Sequence, residues 1–308
     1  MKLIRHLDKL REFRGGAITI GNFDGVHRGH ARIIERLRHQ ADLVGGPAVV
    51  FTFDPHPVRL LRPDQAPPPL TWTDRKADLL SDLGVDGLIA YPTDRALLQL
   101  TADDFFQSII LDQLQTRAMV EGPNFFFGRD RAGNVDVLRE LCDANDVTLE
   151  IVTPIEDGDS LVSSSRVRKA IADGDMQTAN SMLTRPYRVR GMVTQGAARG
   201  ASIGFPTANL DAIDTLLPAL GVYAGSAWRG NRSHAAAINI GPNPTFGENA
   251  VKVEVHLLDF DDNLYGQPLE VDILTRLRDI QPFPNVDALI SQLKKDVEAT
   301  RAAQPPRK

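Results

Sequence analysis

The sequence predicts a chain in two parts: an α/β half built on a doubly wound parallel sheet, then a smaller closed antiparallel β-barrel with a C-terminal helix. Three observations carry that expectation. In the first half, short apolar, β-branched runs alternate with segments of helical period, the rhythm of βαβ units. After Thr184-Arg185-Pro186, period-two strands follow one another without intervening helices, and a closed barrel is the compact solution for so many short strands. Near the end, Val286, Leu289, Ile290, Leu293 and Val297 form one helical stripe. The expected domains are 1–184 and 185–308, and 308 residues suffice for two cores.

In chain order, Ala17-Ile18-Thr19-Ile20 reads as a buried strand and Ile33, Ile34 and Leu37 recur at helical spacing, so the glycine-rich residues between them form a strand-to-helix turn. Pro47–Phe53 is a continuous apolar run of the kind buried on both faces of a parallel sheet. Leu88–Ala90, Ala118–Val120 and Leu149–Val152 supply further strands. Helices are expected over Asp74–Leu83, ended by Gly84, and over Ala102–Leu114. Arg62–Pro69 is proline-rich and reads as a surface loop without assignable chemistry. Helices over Ser164–Asp173 and Met176–Leu183 close the half. The barrel strands are expected at Tyr187–Val193, Gly221–Trp228, His234–Ile240, Val251–Leu257 and Leu269–Leu274. Asn285 is the expected N-cap of the last helix, and Ala302–Lys308 a frayed tail.

Composition narrows the function. The chain is 42% hydrophobic and 24% charged, with no apolar run that spans a membrane and no signal-peptide pattern at Met1–His6. A net charge of -5 argues against general nucleic-acid binding, and the single cysteine, Cys142, fits a reducing cytoplasm. The expected partners are therefore small molecules, with neither nucleic acid nor membrane; a homo-oligomer is left open.

The turn is Gly21-Asn22-Phe23-Asp24-Gly25-Val26-His27-Arg28-Gly29-His30. Its glycines permit positive φ and close approach of a bulky anion, and the following helix offers free N–H groups and the positive end of its dipole. His27 and His30 stand at the helix mouth, placed to donate to phosphate oxygens; the same spacing would also suit a metal half-site or two surface histidines. No Gly-Lys-Ser/Thr follows, so this is not a P-loop, nor is it G-x-G-x-x-G. The stretch closely resembles the H-x-G-H signature of the nucleotidylyltransferases, in the G-x-F-D-G-x-H-x-G-H form of bacterial bifunctional riboflavin kinase/FMN adenylyltransferases (FAD synthetases). Ser163-Ser164-Ser165-Arg166-Val167-Arg168 is similar to the same superfamily's I-S-S-T-x-x-R motif, although an N-cap serine with two solvated arginines would read alike. Gly122-Pro123-Asn124-Phe125-Phe126-Phe127-Gly128 resembles its G-x-N/D-F-x-F-G element.

The resemblance implies a Rossmann-like nucleotidylyltransferase domain. There Gly21, Phe23, Asp24, Gly25, Ser164 and Arg168 bind ATP, and His27 and His30 stabilise charge as cations or donors. Asn124 and Phe125 lie at the flavin side, Asn124 also at the metal side. Phe53-Asp54-Pro55-His56-Pro57, at a strand's carboxyl end, reads equally as a ligand turn or a rigid structural one.

The second half carries Gly196–Asn209, in which Gly-Phe-Pro-Thr-Ala-Asn matches the P-T-A-N signature of riboflavin kinases. By that match Gly200, Gly204 and Thr207 meet ATP phosphates and Thr207 and Asn209 hold Mg²⁺. Val253–Phe260 with Leu264-Tyr265-Gly266 resembles the kinase segment whose glutamate is the general base, here Glu254, and Arg278–Phe283 resembles the family's R-x-E-x-x-F, which implies that Arg278 contacts flavin. From period alone, Glu254 shares a polar face with Lys252 and His256 that would equally be a solvated face. Asn239–Gly247 resembles the family's nucleotide-side loop. Two departures stand out: Ala201 where a basic residue is usual, and Ile280 in place of the glutamate of R-x-E-x-x-F. The implied cofactors and substrates are ATP, Mg²⁺, riboflavin, FMN and FAD.

Overall fold

The apolar runs of the first half assemble into one six-stranded parallel sheet. Its strands are β1 (Lys2–Ile4), β2 (Ala17–Ile20), β3 (Ala48–Asp54), β4 (Gly87–Pro92), β5 (Ala118–Glu121) and β6 (Thr148–Ile151), in the order β1-β4-β3-β2-β5-β6. The computed structural model describes all residues except His6, Asp159, Ala197, Ala198, Pro244, Phe246, Gly247 and 305–308. Parts of the expected Gly196–Asn209 and Asn239–Gly247 segments and of the tail thus lie outside the described residues.

The connections are α1 (Arg28–Val44), α2 (Pro57–Leu61), α3 (Thr73–Asp82), α4 (Arg95–Gln99), α5 (Ala102–Phe105) and α6 (Val135–Ala144). The expected helix from Ala102 continues beyond α5 as a wider π-helical stretch, Phe106–Gln113. Alternate residues of the strands feed two cores, one per face. Ile18, Phe51 and Met119 pack with Phe106, Ile110 and Leu138, whereas Ala17, Val50 and Val120 pack with Ile34, Leu37 and Leu80. That two-sided burial explains why β2, β3 and β5 read as unbroken apolar runs. Two-residue strands β7 (Glu156–Asp157) and β8 (Ser160–Leu161) pair as a small hairpin. β1 was not anticipated from sequence: three residues are too short to show a period.

The chain divides into two units, Met1–Pro67 with Trp72–Ser163, and Pro68–Thr71 with Ser164–Lys308. In the second, α7 (Ser164–Ala172) and α8 (Met176–Met182) precede a closed antiparallel barrel of β9 (Tyr187–Thr194), β10 (Ala208–Asp211), β11 (Gly221–Arg229), β12 (Arg232–Asn243), β13 (Glu248–Leu257) and β14 (Pro268–Arg278), ordered β10-β13-β12-β11-β14-β9. Asn180 fixes α8 to the barrel, donating to the carbonyls of Ile273 and Leu274 and accepting from the Tyr187 N–H. A single helical turn, α9 (Arg199–Ser202), follows β9, and α10 (Val286–Ala302) ends the fold, its N-cap Asn285 accepting from the Ala288 N–H. The expectation of fraying from Ala302 is corrected as far as Gln304, which donates to the Gly225 carbonyl and accepts from Ser226, filling hydrogen bonds that β11 leaves open.

Candidate active sites

In the first unit the glycine-rich turn leaves β2 at its carboxyl end. Phe23, Gly25 and Val26 all take positive φ (46°, 84° and 42°), so the chain reverses sharply before α1. Space at Gly21 and Gly29 is tight: a Cβ at Gly21 would stand 3.1 Å from the Phe23 ring, and one at Gly29 3.1 Å from the His27 ring. His27 is the N-cap of α1, its Nδ1 accepting from the His30 N–H at 3.3 Å. In the neutral ring that bond leaves the proton on Nε2, which is therefore a donor. The two imidazoles stack with centroids 3.6 Å apart and planes at 15°, and Phe23 lies 4.8 Å from His30.

Burial lowers the His27 pKa to about 4, against the opposing pull of the Asp24 carboxylate. Burial, with the charges of His27 and Lys76, likewise holds His30 well below its ordinary range. Both rings are neutral near pH 7. The expectation of cations or donors therefore narrows to donors, because a charged imidazole here would lack solvation. His30 Nδ1 is buried without a hydrogen-bond partner among the described residues, a polar atom directed at nothing the chain supplies.

The other expected residues of this half are placed as follows. Asn124 is exposed beyond β5, while Phe125 stacks on the buried Phe127 (5.4 Å, 16°) against the core, and Phe126 is exposed under Arg131. The Phe53–Pro57 segment is built as a turn and cap: Asp54 accepts from Thr73, and His56 Nδ1 accepts from the Val58 N–H to open α2. Ser164 opens α7 and Arg168 lies one turn on, its Nε donating to the Pro68 carbonyl; both belong to the second unit. Two buried ionisable groups against the turn, Lys76 and Glu121, were missed. The signal for Lys76 was available, since a lysine four residues after Trp72 and three before Leu79 sits on the apolar stripe of its helix.

In the second unit a cavity opens on the barrel wall, and three neighbouring strands meet there in register: Asn209 of β10 faces Glu254 of β13, which faces Asn239 of β12. Thr207, two residues before Asn209, and His256, two after Glu254, line the same cavity. His256 Nδ1 lies 2.7 Å from the Pro206 carbonyl and so ties β13 to the Gly-Phe-Pro-Thr-Ala-Asn segment. Glu254 and His256 of the polar face of β13 therefore line a cavity wall. β10 itself was not anticipated, because its four residues follow a glycine-rich run that reads as loop.

Gly200 lines the cavity, and a Cβ there would stand 2.2 Å from the Phe205 carbonyl; Gly204, at φ 89°, does not line it. Arg278 also lines the cavity, held by a bidentate pairing with buried Asp296 of α10 (3.1 and 2.8 Å) and lying 5.6 Å over the Phe283 ring. Leu289, Leu293 and Val297, the stripe of α10, supply an apolar side of the same cavity, joined by Ile280. The last helix is thus part of the site, and Asp296 on its apolar stripe is the sign that sequence reading passed over. Thr207, Asn209 and Glu254 offer the hard oxygen donors that suit Mg²⁺, whereas no cluster of three or more His, Cys, Asp or Glu residues occurs among the described residues.

Comparison with known proteins bears on both sites. A family model described as FAD synthetase matches residues 9–166, and one described as riboflavin kinase matches residues 183–304. The bifunctional riboflavin kinase/FMN adenylyltransferase of Pseudomonas fluorescens is 38% identical over 99% of both chains. The chain belongs to that bifunctional family. Members from Escherichia coli K12 and Listeria monocytogenes are each 34% identical, over 96% of both chains and over 92% and 91% respectively. A crystal structure described as a macrolide-efflux protein from Streptococcus pneumoniae matches with a TM-score of 0.86 at 32% identity, over 97% of this chain and 98% of that one. Among the described residues of this chain, no helix is long and apolar enough to cross a membrane.

Proposed function

We propose that this family member phosphorylates riboflavin to FMN in the barrel unit and joins FMN to the adenylyl group of ATP in the α/β unit, giving FAD and pyrophosphate. The catalytic domains are taken as 1–184 and 185–308. The observation that carries the reading is the register of Asn209, Glu254 and Asn239 across three strands, with Thr207 on the same cavity wall.

In the kinase step Glu254 accepts the proton of the ribityl 5′-hydroxyl as that oxygen attacks the γ-phosphorus, and the bond to the β-bridging oxygen breaks to release ADP. Thr207 and Asn209 would hold Mg²⁺, which neutralises charge on the phosphate oxygens. Gly200 lets the backbone come close to the nucleotide. Gly204, with its positive φ, shapes the same loop, and Arg278 orients the flavin.

Adenylyl transfer needs no protein nucleophile. An FMN phosphate oxygen attacks the α-phosphorus, the bond to the bridging oxygen breaks, and the electron pair leaves on pyrophosphate. Catalysis is then positioning and charge stabilisation. Neutral His27 and His30 donate hydrogen bonds to the developing charge, and the Gly21–Gly25 backbone receives phosphate. Asn124 and Phe125 serve the flavin side, with Asn124 a second Mg²⁺ ligand. The lone buried thiol of Cys142 agrees with a cytoplasmic setting.

The test is a time course with riboflavin, ATP and Mg²⁺, resolving riboflavin, FMN and FAD by chromatography. Glu254→Ala should stop FMN formation yet convert added FMN to FAD, and His30→Ala should do the reverse. Failure of Glu254→Ala to convert added FMN to FAD, or of His30→Ala to form FMN from riboflavin, would reject separate sites.

A further inference from the structure

Three residues of the phosphate turn, Phe23, Gly25 and Val26, are left-handed, and backbone of that kind at non-glycine residues persists only where its surroundings over-determine it. The strand order reverses between β2 and β5, which makes this the switch point of the sheet, where the crevice opens. β2 and β5 pair only at Ala17 with Ala118 and Ile18 with Met119. Beyond Met119 the strands part, and the Ile20 N–H, buried in the sheet, has no ladder partner on that side. Glu121, the last residue of β5, turns its carboxyl into the gap and accepts from the Ile20 N–H at 2.7 Å. Burial pushes that carboxyl well above the usual carboxylate range, so it serves as a neutral acid.

From the other side Lys76 rises from α3, almost fully buried, and its Nζ donates to the Asn22 carbonyl at 2.6 Å; the Thr52 hydroxyl donates to the same oxygen at 3.3 Å. Between these contacts the Gly21 N–H donates to the Phe51 carbonyl at 3.0 Å. Peptide groups of three consecutive residues are thus fixed from outside by β5, β3 and α3, immediately before the segment that sets His27 and His30.

We infer that Glu121 and Lys76 form a two-sided clamp on this turn and are positioning residues for adenylyl transfer. The inference rests on the first unit being the adenylyl-transfer site. The clamp acts through geometry: Glu121 needs only an acceptor oxygen, and Lys76 only a donor long enough to reach Asn22.

The test uses the full chain and measures FAD formation from FMN, ATP and Mg²⁺, riboflavin phosphorylation as the internal control, and unfolding of the first unit by Trp72 fluorescence. Glu121→Gln keeps the acceptor and should hold kcat for FAD formation near wild type. Glu121→Leu and Lys76→Met should lower kcat by roughly ten- to a hundredfold, the scale of a small misplacement of catalytic groups. KM for ATP and the kinase rate should change little. If either apolar variant does not fold, Glu121→Asp and Lys76→Gln, which shorten the reach, replace them with the same expected fall in kcat. Folded variants with wild-type kcat overturn the clamp, as does Glu121→Gln falling as far as Glu121→Leu, which would require an ionised carboxylate. His30→Ala run alongside separates the two levels: if it leaves FAD formation intact, the site reading itself fails; if it abolishes FAD formation while the clamp variants remain active, only the clamp fails.

Discussion

Acidification offers a quantitative check on the buried histidine pair. His27 is 6% exposed, and its pKa falls from 6.5 to about 4 through burial. Between those values the unfolded chain takes up a proton that the native ring does not, so the unfolded state binds more protons and unfolding free energy decreases as pH falls. At about 1.4 kcal/mol per pH unit, His27 alone removes about 2 kcal/mol between pH 7 and pH 5, and about 3 kcal/mol once pH drops below 4. The effect is confined to the first unit, and the two tryptophans report separately, Trp72 from the first and Trp228 from the second. In a Trp228→Phe background, urea unfolding of wild type and His27→Gln should diverge in their pH dependence by about 2 kcal/mol from pH 7 to 5, with wild type the more acid-sensitive. Identical pH dependence in the two proteins would refute the claim that the native ring is held neutral.

Three further outcomes are expected. Glu254→Gln should reduce riboflavin phosphorylation by roughly a hundredfold or more while FAD formation from added FMN stays near wild type, since a positioned general base contributes on that order; equal loss of both activities would count against the assignment. Gly200→Ala drives a methyl to 2.2 Å from the Phe205 carbonyl, so the loop must shift and kinase KM for ATP should rise without change in adenylyl transfer, as steady-state kinetics of the two half-reactions will report. Asp296→Ala strands the Arg278 guanidinium, whose side chain is only 18% exposed, and should destabilise the second unit by about 3 kcal/mol in urea unfolding followed by Trp228 fluorescence, with a higher KM for riboflavin.

The sequence by itself determined the element types and the chemistry of the signatures. β2, β3 and β5 were readable because burial on both faces leaves unbroken apolar runs, and β9 and β13 because one-sided burial leaves a period of two. His27, His30, Thr207, Asn209 and Glu254 were singled out by the resemblance of their motifs to those of the family, whereas spacing alone left each of them open. What only the tertiary structure decided depends on distance in space between residues far apart in the chain. Register brings Asn239 and Asn209 to either side of Glu254, which no local pattern encodes. Folding carries Asp296 from the last helix to Arg278, and turns an apolar stripe expected merely to pack on the barrel into one side of the cavity. It also stacks His27 and His30 together where desolvation fixes their charge state, and it sets Glu121 and Lys76 on the peptide groups of Ile20 and Asn22. Hydrophobic periodicity reports how each residue faces its own element; charge state, register and positioning arise from the neighbours that the fold supplies.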